Sequence, residues 1–458
     1  MALPDDFVRQ IEEYSAPELD GLIEALNAPA SVSVRVNPRK FDVPEGFVRV
    51  PWCENGIYLP DRPKFTFDPL MHQGAYYVQD ASSMIMHHIV RHITRDGCPR
   101  RYLDACAAPG GKTGAAVDAL PAGSVVVANE YVRQRAAILR ENITKWGAPT
   151  VCAVNFDTSA FSEHPGLFDI VAADVPCSGE GMMRKDEEAA RQWSRALVGQ
   201  CVERQREIVD NLFPALRPGG YFIYSTCTFN RDENEEVVEY IMRRYGCESV
   251  PVPMDDAWGI AGGLSTDAAC YRFVPGRVLG EGLFVAVLRK PEGSAPARNE
   301  KSRREKRKGA GRPRPETETV GRWLDLPEGF TLESDGQRVH AVMTGAGLPD
   351  ALTPRVEVAS VKGRDVLPSQ ALAMSTMLRR GVFAEAEVTL ADALRYLHRE
   401  ALTVDGARGL LLLTYSGLPL GFVKNLGNRA NNMYPSEWRI LTNPDYSSLP
   451  PGPLTKNH

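Results

Sequence analysis

The stretch that decides the fold is Leu103-Asp104-Ala105-Cys106-Ala107-Ala108-Pro109-Gly110-Gly111-Lys112-Thr113. It follows an apolar run typical of a buried strand and precedes a pattern typical of a helix. The two glycines allow a sharp turn and let a ligand approach the backbone closely. The ending Gly-Lys-Thr resembles a phosphate-binding P-loop, but that motif requires a glycine where Cys106 stands. A nucleoside-triphosphatase loop is therefore excluded.

Short apolar runs alternate with helical patterns around this loop. Strands are predicted at 101–106, 124–130, 150–156, 168–174, 220–225 and 282–288, and helices at 113–120, 132–146 and 194–216. Strands that alternate with helices of this length form right-handed crossovers around a parallel sheet. The sequence therefore predicts an α/β fold with a doubly wound, Rossmann-like sheet.

Three acidic residues follow successive predicted strands: Glu130 after the second, Asp157 after the third and Asp174 at the end of the fourth. In doubly wound folds the ligand lies outside the carboxyl ends of the strands, where an acid binds the ribose hydroxyls of a nucleoside. An acid at a strand end can also serve only as the cap of the next helix. Three such acids after a glycine-rich turn favour a bound nucleoside.

Two cysteines follow neighbouring strands at the same edge of the predicted sheet. Cys177 lies in Pro176-Cys177-Ser178-Gly179-Glu180-Gly181, and Cys227 lies in Ser225-Thr226-Cys227-Thr228-Phe229-Asn230. Most cysteines are small buried apolar side chains. The position of these two predicts instead that both thiols lie near one substrate.

Composition limits the class of protein. The chain has 458 residues, of which 43% are hydrophobic and 24% are charged, as in globular proteins. Nine cysteines occur without a C-x-x-C pair, so we expect reduced thiols and no metal site. The chain has no apolar run long enough for a membrane span, and its acidic start does not resemble a secretory signal. We therefore expect a cytoplasmic protein.

Changes in composition and in the helix and strand patterns along the sequence predict three domains and a linker. Residues 1–75 combine a helix-like start over 7–26 with an alternating strand at 31–36, and residues 76–290 hold the doubly wound sheet. Residues 291–318 form a linker with nine Arg or Lys between Arg298 and Arg314 against Glu300 and Glu305. Residues 319–458 contain a short helix at 372–380 and a strand pair at 409–415 and 418–424. A basic segment on an acidic chain of net charge −5 suits local contact with nucleic acid, although a solvated linker has the same composition.

These motifs together resemble the RNA cytosine-C5 methyltransferases, which use S-adenosylmethionine and include the RsmB and NSUN groups. Arg35-Val36-Asn37-Pro38 upstream also resembles this family. Downstream, 421–424 and 432–439 are similar to the C-terminal region of the RsmF type, which methylates small-subunit ribosomal RNA. The resemblance implies that residues 1–75 are an N-terminal RNA-binding extension, 76–290 the methyltransferase domain and 319–458 a PUA-like RNA-binding region.

The resemblance also implies roles for individual residues. Cys227 would add to carbon 6 of cytosine, Cys177 would assist release, and Asp174 would hydrogen-bond ring nitrogen 3. The reverse assignment, with Cys177 attacking as in DNA cytosine methyltransferases, remains open. The resemblance implies that S-adenosylmethionine binds through Cys106, Ala107, Ala108, Pro109, Gly110, Gly111, Lys112, Glu130, Asp157 and Asp174.

The resemblance implies that the substrate is 16S ribosomal RNA or the small ribosomal subunit, methylated by a monomer. A flipped-out or unpaired cytosine is required, because a paired base hides its reactive carbons. Candidate RNA contacts are Arg184, Lys185, Tyr415, Phe422, Lys424, Arg429, Tyr434, Trp438 and Arg439. Two alternatives remain: a transfer RNA cytosine-C5 methyltransferase, and a catalytically silent RNA-binding assembly factor.

Overall fold

The computed structural model describes residues 3–293, 314–443, 445–446 and 452–454. Most of the predicted basic linker lies outside these residues. Its last part is described, and a helix, α10 (Pro315–Gly321), begins there. Within the described residues, no helix combines the length and apolar character that crossing a bilayer requires.

The N-terminal part is a small antiparallel sheet with short helices. Its elements are α1 (Asp5–Tyr14), α2 (Leu22–Leu26), β1 (Val32–Val36), β2 (Gly56–Leu59), α3 (Pro69–His72) and β3 (Tyr76–Val78), with strand order β2-β1-β3. The helical pattern predicted over 7–26 is interrupted, because Ser15 has a left-handed φ of 45° and Pro17 follows it. β3 lies beyond residue 75, the predicted domain boundary. The boundaries themselves remain predictions.

The central sheet has the predicted parallel order. Its elements are α4 (Ile85–Ile93), β4 (Arg101–Asp104), α5 (Gly111–Ala119), β5 (Val125–Asn129), α6 (Arg133–Trp146), β6 (Val151–Val154), β7 (Phe168–Asp174), α7 (Glu187–Gln192), α8 (Arg195–Leu212), β8 (Leu216–Thr226), α9 (Glu235–Tyr245), β9 (Glu248–Ser249), β10 (Cys270–Phe273) and β11 (Leu283–Arg289). The strand order is β10-β11-β8-β7-β4-β5-β6. The five strands from β4 to β8 are parallel, and β11 is antiparallel to β8.

Side chains alternate between two cores on the two faces of this sheet. Tyr102 and Val126 pack on one face, and their neighbours Leu103 and Val127 pack on the other, as the pleat of a strand requires. The doubly wound prediction is therefore confirmed. The predicted helix 194–216 is too long: α8 ends at Leu212, because Pro214 cannot continue it.

The C-terminal part contains two four-stranded sheets within the described residues. Its elements after α10 are β12 (Phe330–Ser334), β13 (Arg338–Met343), β14 (Arg355–Lys362), β15 (Asp365–Pro368), α11 (Gln370–Met374), β16 (Ala384–Glu387), α12 (Leu390–Leu397), β17 (Gly409–Tyr415), β18 (Leu418–Asn425) and β19 (Ala430–Asn432). The predicted β17–β18 pair is present. The helix predicted at 372–380 is shorter, because Ser375 is extended and ends α11.

This C-terminal part packs closely against the rest of the chain. Leu352 is 2% exposed and belongs to the core of the central sheet. Gln73 Nε2, after α3, donates to the carbonyl oxygens of Tyr415 (3.1 Å) and Leu418 (2.7 Å). The C-terminal sheets are therefore held in a fixed position relative to the sheet that carries the glycine-rich loop.

Candidate active site

A cavity of about 170 Å³ lies at the carboxyl ends of β4 and β7. Seven of the predicted cofactor residues line this cavity: Cys106, Ala107, Ala108, Pro109, Gly111, Lys112 and Asp174. Asp104 completes this side, and Tyr77, Val78, Gln79, Asp80 and Ser83 form the opposite wall. The N-terminal sheet thus contributes to the cavity through β3 and the residues after it, which the sequence did not predict.

The glycine-rich loop has the geometry that its two glycines predict. Gly110 has a left-handed φ of 111° and precedes the first residue of α5. A β-carbon at Gly111 would lie 3.1 Å from Cε1 of Tyr77, closer than ordinary van der Waals contact. The absence of a side chain at position 111 therefore lets the loop lie close to the Tyr77 ring without displacing it.

Lys112 forms an ion pair with Asp174 at the mouth of this loop. Its Nζ lies 2.9 Å from Oδ2 of Asp174, and the other carboxylate oxygen accepts a hydrogen bond from Ser225 Oγ over 2.8 Å. Burial lowers the pKa of Lys112, but the attraction of the Asp174 carboxylate raises it by more. The pKa of Lys112 is therefore above its ordinary value. The ammonium therefore stays charged, and it fixes the carboxylate beside the cavity.

Asp104 is a second acid in the cavity and, unlike Asp174, it is buried. It is 2% exposed, and Thr113 Oγ1 donates to its Oδ2 over 2.6 Å. Burial raises the pKa of Asp104 to about 7. Asp104 lies near the start of the quoted glycine-rich stretch, but the sequence analysis assigned it no function. An acidic residue at the end of a strand, just before the glycines, was the feature that could have indicated one.

Cys177 and Cys227 face each other at the ends of neighbouring strands. Their Sγ atoms lie 3.3 Å apart. The backbone also joins the two loops, because the amide of Gly181 donates to the carbonyl oxygen of Cys227 over 2.7 Å. The contact with Cys227 and burial raise the pKa of Cys177 well above its ordinary value. Cys177 is therefore a protonated thiol at neutral pH.

A buried carboxylate, Glu180, holds the two cysteine loops together. It is fully buried and accepts hydrogen bonds from the backbone amides of Phe229 (2.7 Å) and Asn230 (3.0 Å). The indole of Trp193 donates to the same carboxylate over 3.0 Å. Glu180 lies in the quoted Cys177 motif, yet nothing in that motif indicates this structural role.

Glu233, which lies between the Cys227 loop and α9, has a similar function. Its carboxylate accepts from the backbone amide of Ser178 over 2.9 Å and from the side chains of Gln205 (2.7 Å) and Asn230 (2.8 Å). Burial raises the pKa of Glu233. Glu233 therefore fixes the residue next to Cys177, and no sequence pattern pointed to it.

The other two predicted acids lie outside this lining, as far as the described residues define it. Glu130 accepts from the amide of Val132 over 2.8 Å at the start of α6, and its other oxygen lies 3.4 Å from Arg135. Asp157 is exposed and accepts from the amide of Ser159 over 2.9 Å, which lowers its pKa. Asp157 caps the short 3-10 helix that follows it, whereas Glu130 binds the backbone just before α6. The roles of both as cofactor residues remain predictions.

Some predicted RNA contacts are wrong because the side chains are buried. Arg184 is 8% exposed and forms an ion pair with Glu281 over 2.9 Å, so it is not available for a phosphate. Phe422 and Tyr434 are each 1% exposed and belong to the cores of the C-terminal part. Among the described residues, three of the C-terminal cations that were predicted to contact RNA are exposed: Lys424, Arg429 and Arg439.

Family profiles match three parts of the chain. The description "16S rRNA methyltransferase RsmB/F" applies to residues 98–289, "N-terminal domain of 16S rRNA methyltransferase RsmF" to 3–81 and "Methyltransferase RsmF PUA domain" to 383–440. The ribosomal RNA small subunit methyltransferase F of Enterobacter sp. (strain 638) is 30% identical over 480 residues, covering 95% of each chain. The protein of that name from Escherichia coli O9:H4 (strain HS) is 30% identical over 476 residues, covering 95% of this chain and 96% of the relative.

Two solved structures share the fold of this chain. "Crystal Structure of PH0851" has a TM-score of 0.57 and 21% identity, covering 63% of this chain and 66% of that one. "The crystal structure of NSun6 from Pyrococcus horikoshii with SFG" has a TM-score of 0.52 and 19% identity, covering 63% and 99%.

The sheet order, the glycine-rich loop and the acid-lined cavity define an S-adenosylmethionine-dependent methyltransferase. With the matches along nearly its whole length, the chain belongs to the RsmB/F family of 16S rRNA methyltransferases, in the group of RsmF. The resemblance to the RsmB and RsmF proteins that the sequence motifs indicated is confirmed.

Proposed function

We propose that this chain methylates carbon 5 of a cytosine in 16S rRNA through a covalent bond between Cys227 and the base. The observation that carries the proposal is the 3.3 Å contact between Cys177 and Cys227, next to the Lys112–Asp174 pair. A methyltransferase that acts on a nitrogen or oxygen needs neither thiol, whereas carbon 5 of cytosine is too poor a nucleophile to react unaided.

The lining and the charge of the cavity suit the methionine part of the cofactor. Gly111 leaves room that a β-carbon would fill, and Asp104 and Asp174 provide acidic groups near a cationic sulfur. We propose that the loop from Cys106 to Lys112 holds the methionine part, with Glu130 at the ribose and Asp157 at the adenine edge. S-adenosylmethionine supplies an electrophilic methyl group on its sulfonium.

The proposed attack starts at Cys227. Its thiolate forms a bond to carbon 6, and the electron pair of the 5,6 double bond moves toward carbon 5, which becomes nucleophilic. Asp174 contacts ring nitrogen 3, where a proton shared between the carboxyl group and that nitrogen would offset the negative charge that develops as the thiolate adds. The Lys112 ammonium, 2.9 Å from Asp174, orients that carboxylate and adds a positive charge beside the reacting ring.

Release requires the reverse electron flow. Once carbon 5 carries the methyl group, its proton leaves to a base, the 5,6 double bond forms again and the carbon–sulfur bond to Cys227 breaks. We assign assistance of this step to Cys177. Its Sγ lies 3.3 Å from that of Cys227, so its thiol can donate a proton to the departing sulfur.

Three exposed cations of the C-terminal part support RNA as the substrate class, because they can contact phosphates: Lys424, Arg429 and Arg439. The target cytosine must be unpaired or flipped out to reach Cys227. Transfer RNA is the alternative substrate, and a silent assembly factor is the alternative function. The paired thiols and the Lys112–Asp174 pair argue against the silent factor, because binding requires neither. The monomeric state and the cytoplasmic location remain predictions.

The test is transfer of labelled methyl from S-adenosylmethionine to purified 16S rRNA, small ribosomal subunits and transfer RNA. We expect incorporation into 16S rRNA or the subunit, with the label on carbon 5 of cytosine after nuclease digestion. Label on another atom would contradict the chemistry, and label only in transfer RNA would contradict the substrate.

A further inference from the structure

The buried guanidinium of Arg35 joins the N-terminal sheet to the glycine-rich loop. Arg35 lies on β1, and its side chain is 1% exposed. Nη1 forms an ion pair with Asp118 on α5, and Nη2 donates a long hydrogen bond of 3.4 Å to the carbonyl oxygen of Gly111. One side chain of the N-terminal sheet therefore contacts both the loop and the helix that follows it.

Arg35 also fixes the orientation of Gln79. Its Nε donates to Oε1 of Gln79 over 2.9 Å. Because a guanidinium can only donate, the amide oxygen must face it and the amide nitrogen must point away. That nitrogen lies 3.5 Å from the position that a β-carbon of Gly111 would take. It is buried, and it has no hydrogen-bond partner among the described residues.

An unpaired buried amide is costly unless a ligand supplies an acceptor. Gln79 and Gly111 both line the cavity at the glycine-rich loop. The methionine part of the cofactor carries a carboxylate, which is an acceptor of the required kind. A carboxylate seated on the loop beside Gly111 would therefore satisfy the donor that Arg35 directs toward it.

The helix after the loop is shaped around the arginine. A β-carbon at Gly114 would lie 2.3 Å from Nη2 of Arg35, so only glycine fits there without displacement. The Arg35 guanidinium also lies 4.3 Å from the centre of the Trp146 ring, which limits its movement on another side. These contacts fix the guanidinium between β1 and α5.

We propose that Arg35 is a positioning residue for the cofactor, acting through Gln79 and Gly111. Arg35 holds the loop carbonyl and turns the amide nitrogen of Gln79 toward the carboxylate of S-adenosylmethionine. The N-terminal sheet thereby sets the cofactor affinity of the methyltransferase domain. This inference rests on the proposed function in one respect, namely that the cavity at the glycine-rich loop is the cofactor site.

Arg39 provides a matched control. It forms an ion pair with the same carboxylate, Asp118, but its other hydrogen bond goes to the carbonyl oxygen of Val117, further along α5. Arg39→Lys therefore disturbs the ion pair with Asp118 while leaving the bonds to Gln79 and Gly111 intact. A general effect of the ion pair on folding would appear in both arginine variants.

The experiment measures binding of S-adenosylmethionine to the full chain by calorimetry, for wild type, Arg35→Lys, Arg39→Lys and Gln79→Glu. A lysine at 35 retains a charge near Asp118 but cannot bond to Gln79 and Gly111 together. We expect its dissociation constant to rise by about tenfold, the effect of removing one hydrogen bond. Arg39→Lys should stay within about twofold of wild type in both its dissociation constant and its kcat.

Gln79→Glu separates binding from folding. The glutamate keeps an acceptor for Arg35 and replaces the amide nitrogen by a second acceptor, which would repel a carboxylate. We expect wild-type melting temperature with cofactor affinity at least about tenfold lower, and this variant decides the matter if Arg35→Lys fails to fold. Wild-type cofactor affinity in Gln79→Glu, or equal losses of cofactor affinity in Arg35→Lys and Arg39→Lys, would overturn this inference. Neither result would contradict the proposed function. A wild-type chain that binds no cofactor would overturn the proposed function as well.

Discussion

The Sγ atoms of Cys177 and Cys227 lie 3.3 Å apart although 50 residues separate them in the chain. The parallel pairing of β7 with β8 produces this contact, because Asp174 lies opposite Ser225 and the two loops continue side by side. Two thiols at this distance can act successively on one cytosine ring. The contact is therefore the geometric basis for the two chemical roles that we propose.

The first prediction separates these roles. Cys227→Ala should abolish both methyl transfer and any covalent RNA adduct, because the bond to carbon 6 cannot form. Cys177→Ala should still attack and methylate, but release should slow by about 10²–10⁴-fold, as when a proton-transfer group is removed. A protein–RNA adduct should then survive denaturing gel electrophoresis.

The double variant Cys177→Ala/Cys227→Ala is the control and should give no adduct. Cys201→Ala is a second control, because Cys201 lies on α8 outside both loops. An adduct in Cys227→Ala and none in Cys177→Ala would reverse the roles and favour the mechanism of the DNA enzymes.

The second prediction concerns pH and Asp104. The pKa of this carboxyl is raised from 3.8 to about 7 by burial, so the folded state binds its proton more tightly than the unfolded state does. The cost of ionising the buried acid is thus absent below about pH 4, grows between pH 4 and 7, and stays constant above. The free energy of unfolding of Asp104→Asn should therefore rise relative to that of wild type by about 2.5 kcal/mol between pH 5 and pH 8.

Urea unfolding at both pH values measures this difference in the absence of cofactor. Asparagine keeps an oxygen that accepts from Thr113, so the hydrogen bond does not confound the comparison. Asp96→Asn is a control at an exposed acid whose pKa is lowered, mainly by the backbone amide of Cys98. A constant stability difference between Asp104→Asn and wild type across this range would mean that Asp104 is ionised throughout.

The sequence predicts the local parts of this molecule better than its long-range contacts. The parallel sheet and the turn at Gly110 follow from residues close together in the chain, whose pattern determines strand, turn and helix. The ion pair of Arg35 with Asp118 joins residues 83 apart, and no local pattern encodes it. Burial is equally non-local: Arg184 and Phe422 have the chemistry of RNA contacts, but neighbouring elements cover both.

The third prediction tests the buried carboxylate of Glu180. Glu180→Gln should destabilise the fold by about 1–3 kcal/mol, because an amide presents a donor to groups that themselves donate. The indole of Trp193 and the amides of Phe229 and Asn230 then compete for one acceptor oxygen. Because the same bonds hold the loop after Cys227, adduct formation should also become slower.

Thermal unfolding and adduct yield measure the two effects of Glu180→Gln. Glu187→Gln on α7 is the matched control, since its carboxylate is 68% exposed and pairs with Arg191 at the surface. Surface pairs of this kind contribute at most about 1 kcal/mol. If Glu180→Gln behaved like this control in both measurements, Glu180 would not hold the two loops.

The fourth prediction addresses how the C-terminal part binds RNA. Deleting this part is a poor test, because Leu352 belongs to the core of the central sheet. Point variants at exposed cations avoid that problem.

The double variant Lys424→Ala/Arg429→Ala should weaken binding of 16S rRNA. It should also reduce the slope of log affinity against log salt concentration by about one for each phosphate that the protein no longer neutralises. Lys362→Ala, an exposed lysine on β14, should change neither quantity. Filter binding at several salt concentrations measures both, and an unchanged slope in the double variant would exclude these two side chains as phosphate ligands.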